Sequence, residues 1–129
     1  MIQLQGVSKV YSNGAVGLNN VSLTIEKGEF VFITGNSGSG KSTLVNLIPR
    51  FYDPTSGKVL LDGVDIRNYN EATLRKNISI VLQSATLFSG TVKSNIVQGD
   101  LDAVEDDITR AAKIAQAKEF IDRLPENYE

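Results

Sequence analysis

A glycine-rich loop between a predicted strand and a predicted helix constrains this 129-residue chain more than any other feature. The loop, residues 35–42, reads GNSGSGKS; apolar residues 30–34 precede it and a helical pattern follows over residues 43–48. Glycine permits positive φ angles and lets the backbone approach a ligand without a Cβ atom in the way. Backbone N–H groups at the start of a helix point at an anion, which the helix dipole also favours. The order of strand, loop and helix therefore predicts a phosphate-binding site.

The two residues that end the loop indicate what kind of phosphate it would bind. Lys41 provides a mobile positive charge for outer phosphates, and the Ser42 hydroxyl is placed to hold Mg²⁺. A flexible glycine-serine turn is the alternative, but the flanking strand and helix argue against it. A dinucleotide-binding loop matches less well, because no acidic residue closes a following strand in the right place. The pattern predicts that the chain binds a nucleoside phosphate.

Composition removes several classes of function. The chain has no cysteine and no histidine, which excludes disulfides, thiolate catalysis and histidine acid–base chemistry. Its formal net charge is −2, so no broad basic surface for nucleic acid is expected. No apolar run approaches the length of a bilayer span, and the N-terminus does not look like a signal peptide. We therefore expect a cytoplasmic protein that neither binds nucleic acid nor inserts directly into a membrane.

Apolar periodicity predicts an α/β fold. Strand patterns occupy residues 2–7, 18–25, 30–34, 58–66 (a hairpin around Asp62-Gly63) and 78–82. Helical patterns occupy residues 43–48, 71–76, 91–97 and 102–115. We expect an antiparallel subdomain beside an incomplete parallel core sheet, which would contain residues 30–34 and 78–82, with helices around it.

Three residues outside the loop are further candidates for a role in chemistry. Tyr11 lies between two predicted strands, where its ring could stack on a purine or pack locally. Gln83 ends a predicted buried strand, where its amide could touch Mg²⁺ or the attacking water, or be an ordinary polar strand end. Asp62 is the only candidate for a second magnesium-binding acid, yet Asp-Gly is a better signal for a hairpin turn. The groups needed for hydrolysis look incomplete, and we predict no catalytic residue.

Together these residues resemble the ATP-binding domain of ABC transporters, and the resemblance covers the whole chain. Residues 35–43 are similar to the family's Walker A motif, Tyr11 to its adenine-stacking residue and Gln83 to its Q-loop glutamine. Residues 51–57 (FYDPTSG) and 86–92 (TLFSGTV) resemble exporter-type members.

The resemblance implies a P-loop NTPase fold of the ABC ATPase type that binds ATP with Mg²⁺. The residues implied to contact the nucleotide are Tyr11, Asn36, Ser37, Gly38, Ser39, Gly40, Lys41, Ser42 and Thr43. Those implied to hold Mg²⁺ are Ser42 and Gln83. The implied partners are transmembrane transporter domains, at the cytoplasmic face of a membrane.

Two features depart from the family pattern. The family continues with a signature motif, a Walker B strand ending in Asp-Glu, a D-loop and a switch histidine, none of which is found in this sequence. The resemblance therefore implies the N-terminal portion of the domain, with weak or no ATP hydrolysis by this chain alone. Residues 1–44 look more like stand-alone ATPases of the cell-division and lipoprotein-release type, whereas residues from 48 onward look exporter-like. This mosaic suggests a chimera, or a designed or excised fragment.

We expect one partial domain over residues 1–129. Residues 1–34 would form the strands leading to the P-loop, residues 35–83 the core from P-loop to Q-loop, and residues 84–129 the start of a helical subdomain. Lack of the family's further strands would leave an open sheet edge, which favours a homo-oligomer or a strand-exchanged dimer. Two other functions stay open: a self-associating structural fragment without functional use of nucleotide, and a minimal P-loop ATPase that uses Asp62.

Overall fold

The computed structural model describes residues 1–81, 84 and 86–129. The chain divides into two compact units, Met1–Ile78 and Ser79–Glu129. The first unit contains β1 (Ile2–Val10), β2 (Val16–Ile25), α1 (Lys41–Leu47), β3 (Ser56–Leu61), β4 (Val64–Asp65), a 3₁₀ turn (Ile66–Asn68) and α2 (Glu71–Lys76). The second contains α3 (Val92–Ile96), a 3₁₀ turn (Val97–Gly99), α4 (Glu105–Ile114) and α5 (Lys118–Ile121).

An antiparallel sheet with the strand order β2-β1-β3-β4 forms the base of the first unit. β1 lies between β2 and β3, and Leu4 is opposite Leu23 on one side and Val59 on the other. The β3–β4 hairpin turns at Asp62 and Gly63, which have φ angles of 48° and 81°. Asp-Gly is favoured in such turns because both central residues need positive φ. The predicted antiparallel subdomain and its hairpin are confirmed.

Helix α1 packs its apolar side onto this sheet. Leu44 and Leu47 are buried in a single core with side chains from the strands, the 3₁₀ turn and α2 (Leu4, Val7, Leu18, Val59, Ile66 and Leu74). Ile48 caps the end of the helix and Pro49 follows it, as expected of a residue that cannot continue the backbone hydrogen bonds. The packing fixes α1, and therefore the loop that precedes it, against the strands.

The two segments predicted as parallel strands are not strands in the described part of the chain. Residues 30–34 pair with no described strand, and Phe30 and Phe32 are 82% and 79% exposed. Residues 78–81 are also irregular, and Val81 is 98% exposed; Leu82 lies outside the described residues. An apolar segment becomes a strand only when a neighbouring strand accepts its hydrogen bonds. The α/β class is confirmed, but a parallel sheet is not observed among the described residues.

The second unit is helical, as its sequence pattern predicts. Thr91 caps α3, since its hydroxyl oxygen accepts a hydrogen bond from the Ser94 N–H at 3.0 Å. α4 begins with an acidic first turn and buries Ile108 and Ala112 on one face. In the described ranges, none of the helices has the length and apolar content needed to cross a membrane.

Candidate functional site

The predicted phosphate-binding loop lies directly ahead of α1, and its backbone requires glycine. Gly38 and Gly40 have φ angles of 81° and 90°. A Cβ atom on Gly40 would lie 2.3 Å from the carbonyl oxygen of Gly17 in β2, closer than real Cβ contacts allow. The loop can therefore pass this close to β2 only with glycine at position 40.

The start of α1 leaves backbone donors available at the loop. The helix makes its first backbone hydrogen bond from the Leu44 N–H to the Gly40 carbonyl oxygen, at 2.9 Å. The N–H groups of Lys41, Ser42 and Thr43 precede that bond and so have no acceptor within the helix. Such donors suit an anionic ligand.

A cavity of about 380 Å³ adjoins the loop. It is lined by Tyr11, Val16, Gly17, Ser37, Gly38, Gly40, Lys41, Ser42 and Thr43. The structure thus brings Tyr11 together with most of the predicted loop residues, although Tyr11 is far from them in sequence. Asn36 and Ser39 are not among the described lining residues and instead contact Lys41. Gln83 lies outside the described residues.

The loop folds around the ammonium group of Lys41. Its Nζ atom donates to the carbonyl oxygens of Gly35 at 2.7 Å and Asn36 at 2.8 Å, and approaches the Ser39 hydroxyl at 3.4 Å. These neutral acceptors keep the positive charge at the cavity. A phosphate oxygen would be a stronger acceptor for the same ammonium group, because its negative charge adds a Coulombic attraction that a neutral carbonyl oxygen lacks.

Tyr11 is held at the cavity by its backbone and by its hydroxyl group. The turn after β1 is closed by hydrogen bonds from the Tyr11 N–H to the Ala15 carbonyl and from the Gly14 N–H to the Tyr11 carbonyl, both 2.9 Å. The Tyr11 hydroxyl contacts Thr43 Oγ1 at 2.9 Å and the Tyr52 hydroxyl at 3.1 Å. The hydrogen bond with Thr43, and secondly that with Tyr52, lower the pKa of Tyr11. The ring therefore has a fixed position beside the phosphate-binding loop.

Comparison with known proteins places this geometry in a family. The family model described as ABC transporter matches residues 18–128. The chain belongs to the ABC transporter family. It is 50% identical over 129 residues to the multidrug export ATP-binding/permease protein YgaD of Bacillus subtilis (strain 168). This match covers 99% of this chain and 22% of that protein. It is 48% identical over 128 residues to the ATP-dependent lipid A-core flippase of Syntrophus aciditrophicus (strain SB), covering 99% of this chain and 21% of the flippase.

A solved structure supports the same assignment. A bacterial Atm1-family ABC exporter with ATP bound superposes with a TM-score of 0.91 at 38% identity, over 98% of this chain and 22% of that one. The chain thus spans about a fifth of the length of the relatives it matches. The predicted resemblance to an exporter-type ABC ATP-binding domain is confirmed, and the match to exporter-type proteins extends over nearly the whole chain, including residues 1–44.

Sequence reasoning missed two contributors to this ABC site. Gly17 lies under Tyr11 and Thr43: a Cβ atom there would be 2.8 Å from the ring atom Cε2 of Tyr11 and from the Thr43 hydroxyl. A glycine inside an alternating strand often marks the close approach of another group, and that signal was available in the sequence. Tyr52 contacts Tyr11 across 41 positions of sequence, and no local pattern predicts such a pairing.

Asp62 is not at the cavity of this ABC domain. It lies in the β3–β4 turn, where its Oδ1 atom accepts a hydrogen bond from the N-terminal ammonium group of Met1 at 2.6 Å. That contact lowers the pKa of the Asp62 carboxyl. The described part of the chain has no group of three or more Asp, Glu, His or Cys residues that could hold a metal ion. The geometry therefore does not support Asp62 as a magnesium ligand at the Walker A loop.

Proposed function

We propose that this chain binds Mg·ATP as the nucleotide-binding part of an exporter-type ABC ATPase. The observation that carries the proposal is the shared cavity: Tyr11, Lys41 and Ser42 line it together with the glycine-rich loop. A volume of about 380 Å³ is within the range of small-molecule sites, about 300–1,000 Å³. The family supplies the identity of the ligand, since the structure of the Atm1-family exporter has ATP bound.

The loop would bind the phosphates. Lys41 would exchange its carbonyl partners for oxygens of the β- and γ-phosphates, and the N–H groups at the start of α1 would donate to the phosphate chain. Asn36 and Ser39 would contribute through the loop that they shape around Lys41. Ser42 would hold Mg²⁺, with Gln83 as a second ligand. The bound Mg²⁺ ion supplies positive charge that neutralises the outer phosphates.

Tyr11 would stack on the adenine ring. Stacking of a base on an aromatic side chain contributes about 1–3 kcal/mol where it has been measured in single-stranded nucleic acids. A stacking ring contacts the face of a base and no hydrogen-bonding edge, so Tyr11 gives no discrimination between ATP and GTP.

We further propose weak or no ATP hydrolysis by this chain alone. It contains no histidine, and Asp62, its only acidic candidate, binds the Met1 ammonium group in the β3–β4 turn. In a longer ABC protein we expect the partners to be transmembrane transporter domains, at the cytoplasmic face of the membrane.

Isothermal titration with Mg·ATP tests the proposal. Lys41→Ala should weaken Mg·ATP binding by about tenfold or more, because charge-assisted hydrogen bonds contribute about 1.5–3 kcal/mol. Lys113→Ala is the matched control, since Lys113 is an exposed lysine of α4 and should leave the affinity unchanged. Equal affinity of Lys41→Ala and the parent chain would refute the assignment of the loop.

Exposed apolar side chains favour a second candidate, a self-associating structural module. Phe30 and Phe32 contact each other with ring centroids 4.9 Å apart while both remain largely exposed. Such a surface favours a homo-oligomer or a strand-exchanged dimer. The two candidates differ in one property: association of a structural module would not respond to Mg·ATP.

A further inference from the structure

Hydroxyl groups of three residues form a closed ring of hydrogen bonds beside the cavity. The Tyr11 hydroxyl donates to the Tyr52 hydroxyl oxygen at 3.1 Å, and the Tyr52 hydroxyl donates to the backbone carbonyl oxygen of Thr43 at 3.1 Å. Because the Tyr11 proton is used in this way, Thr43 Oγ1, 2.9 Å away, donates to the Tyr11 oxygen. The ring starts and ends on Thr43, in the first turn of α1.

Tyr52 is the fixed member of this ring. It is partly buried against the core of the first unit, and burial, with the Tyr11 hydrogen bond as the second cause, raises its pKa to about 12. It therefore remains a protonated donor. The Lys9 ammonium group lies 4.9 Å from the Tyr52 ring centroid and donates to the Asp53 carbonyl oxygen at 2.8 Å. The Tyr11 ring meets Tyr52 edge-on, with centroids 5.7 Å apart and an interplanar angle of 76°.

We propose that Tyr52 is a positioning residue for the base-binding side of the site. Tyr52 is not among the described residues that line the cavity, so it acts through Tyr11, whose hydroxyl it holds. This inference rests on the proposed binding of a nucleotide. Without the Tyr52 hydroxyl, the Tyr11 ring gains rotational freedom that must be lost again when it stacks on a base.

On the phosphate-binding side, Tyr11 and Tyr52 contact Thr43 through its hydroxyl and its carbonyl oxygen, and not through the N–H group that would donate to a phosphate. The described contacts of the Lys41 ammonium group are with Gly35, Asn36 and Ser39, and none of these involves Tyr52. Loss of the Tyr52 hydroxyl should therefore weaken the binding of a ligand that has a base. It should leave the affinity for a ligand that consists of phosphates alone nearly unchanged.

Paired titrations of the full chain separate these two effects. The probes are Mg·ATP and inorganic tripolyphosphate with Mg²⁺, and the variant is Tyr52→Phe. We expect about fivefold weaker binding of Mg·ATP, the cost of ordering one freed side chain on binding, and tripolyphosphate affinity within about twofold of the parent. Tyr69→Phe is the matched control: its hydroxyl also donates to a backbone carbonyl, that of Leu61 at 3.0 Å, and its removal should change neither affinity.

Two results would overturn the inference: an unchanged affinity of Tyr52→Phe for Mg·ATP, or an equal loss for both probes. Tyr11→Phe keeps the stacking ring and removes its hydroxyl, so it should show the same selective loss even if Tyr52→Phe does not fold. Unchanged Mg·ATP binding by Tyr11→Phe would also contradict the proposed role of the hydrogen bonds among Tyr11, Tyr52 and Thr43. Failure of the parent chain to bind either probe would instead refute the proposed nucleotide site.

Discussion

At Gly40 the space beside the backbone, as well as its φ angle, decides which residue can occupy the position. Gly40 and Gly63 have similar φ angles, 90° and 81°. A Cβ atom on Gly40 would meet the Gly17 carbonyl oxygen at 2.3 Å, whereas one on Gly63 would meet no described atom within 4 Å. The two glycines therefore separate the cost of the backbone angle from the cost of the collision.

We expect Gly63→Ala to lower the free energy of unfolding by about 1 kcal/mol, the cost of a positive φ angle at a residue with a side chain. Gly40→Ala should lower it by about 3 kcal/mol, because the added methyl group must also displace β2 or the loop. Urea denaturation of both variants measures the difference. Equal losses in the two variants would show that the loop does not pass close to β2.

Single residues were predictable where the chemistry is local. Lys41 and Ser42 were identifiable because the loop motif is contiguous, and the structure places both at the cavity. Tyr11 was proposed from a turn position and a family resemblance. Tyr52 was not predicted, because its contact with Tyr11 depends on how distant segments pack, which no short-range pattern encodes.

At the scale of elements, Asp65 joins β4 to the 3₁₀ turn that follows. Its Oδ1 atom accepts hydrogen bonds from the Arg67 N–H and Nε–H, both at 3.0 Å, and its Oδ2 atom accepts from Nη2 at 2.6 Å. The hydrogen bonds from the Arg67 side chain lower the pKa of the Asp65 carboxyl. The folded state therefore favours the ionised carboxylate.

This pKa shift predicts how stability depends on pH. The pKa of Asp65 is lower in the folded chain than in the unfolded chain, so at pH values between the two the unfolded chain binds more protons. The stability that Asp65 contributes is therefore fully present above its unfolded-state pKa and is lost as the pH falls through its folded-state pKa. Asp65→Asn keeps an oxygen acceptor for the turn and removes the charge. It should lower the free energy of unfolding by about 1 kcal/mol at pH 7 and by less at acid pH.

Thermal unfolding of the parent and Asp65→Asn between pH 7 and pH 2 measures this. The difference between them is informative because the pKa values of Asp53 and Asp62 are also lowered in the folded state. Asp102→Asn removes the same charge at an exposed position and should leave the pH profile of the parent unchanged. A constant difference between Asp65→Asn and the parent at all pH values would contradict the prediction.

The sequence predicts a strand correctly where the neighbouring strand that pairs with it also lies in the described part of the chain. The alternation of β1 and β2 predicts strands, and each finds a neighbour in the sheet. Residues 30–34 have an equally apolar sequence, but strand formation needs a pairing partner, and the described strands supply none. Local pattern thus predicts the tendency to form a strand, while pairing decides the outcome.

At the scale of the whole molecule, exposed apolar side chains predict self-association. Phe30 and Phe32 are the main candidates, since they lie in an unpaired segment and are mostly exposed. We expect sedimentation velocity to show concentration-dependent association, and the double substitution Phe30→Ser/Phe32→Ser to reduce it. Leu101→Ser is the control. Leu101 is 79% exposed in the second unit, and its substitution should have little effect on the association. A parent chain that stays monomeric at all concentrations would refute the prediction.

The central claim is that the glycine-rich loop and Tyr11 form one nucleotide site. Amide and aromatic NMR spectra of the chain, recorded with and without saturating Mg·ATP, test it most directly. The account predicts shifts concentrated in the amides of residues 37–43 and in the ring protons of Tyr11, with the amides of α4 unchanged. Binding that leaves the loop amides unshifted, or that shifts only residues outside the cavity, would contradict it.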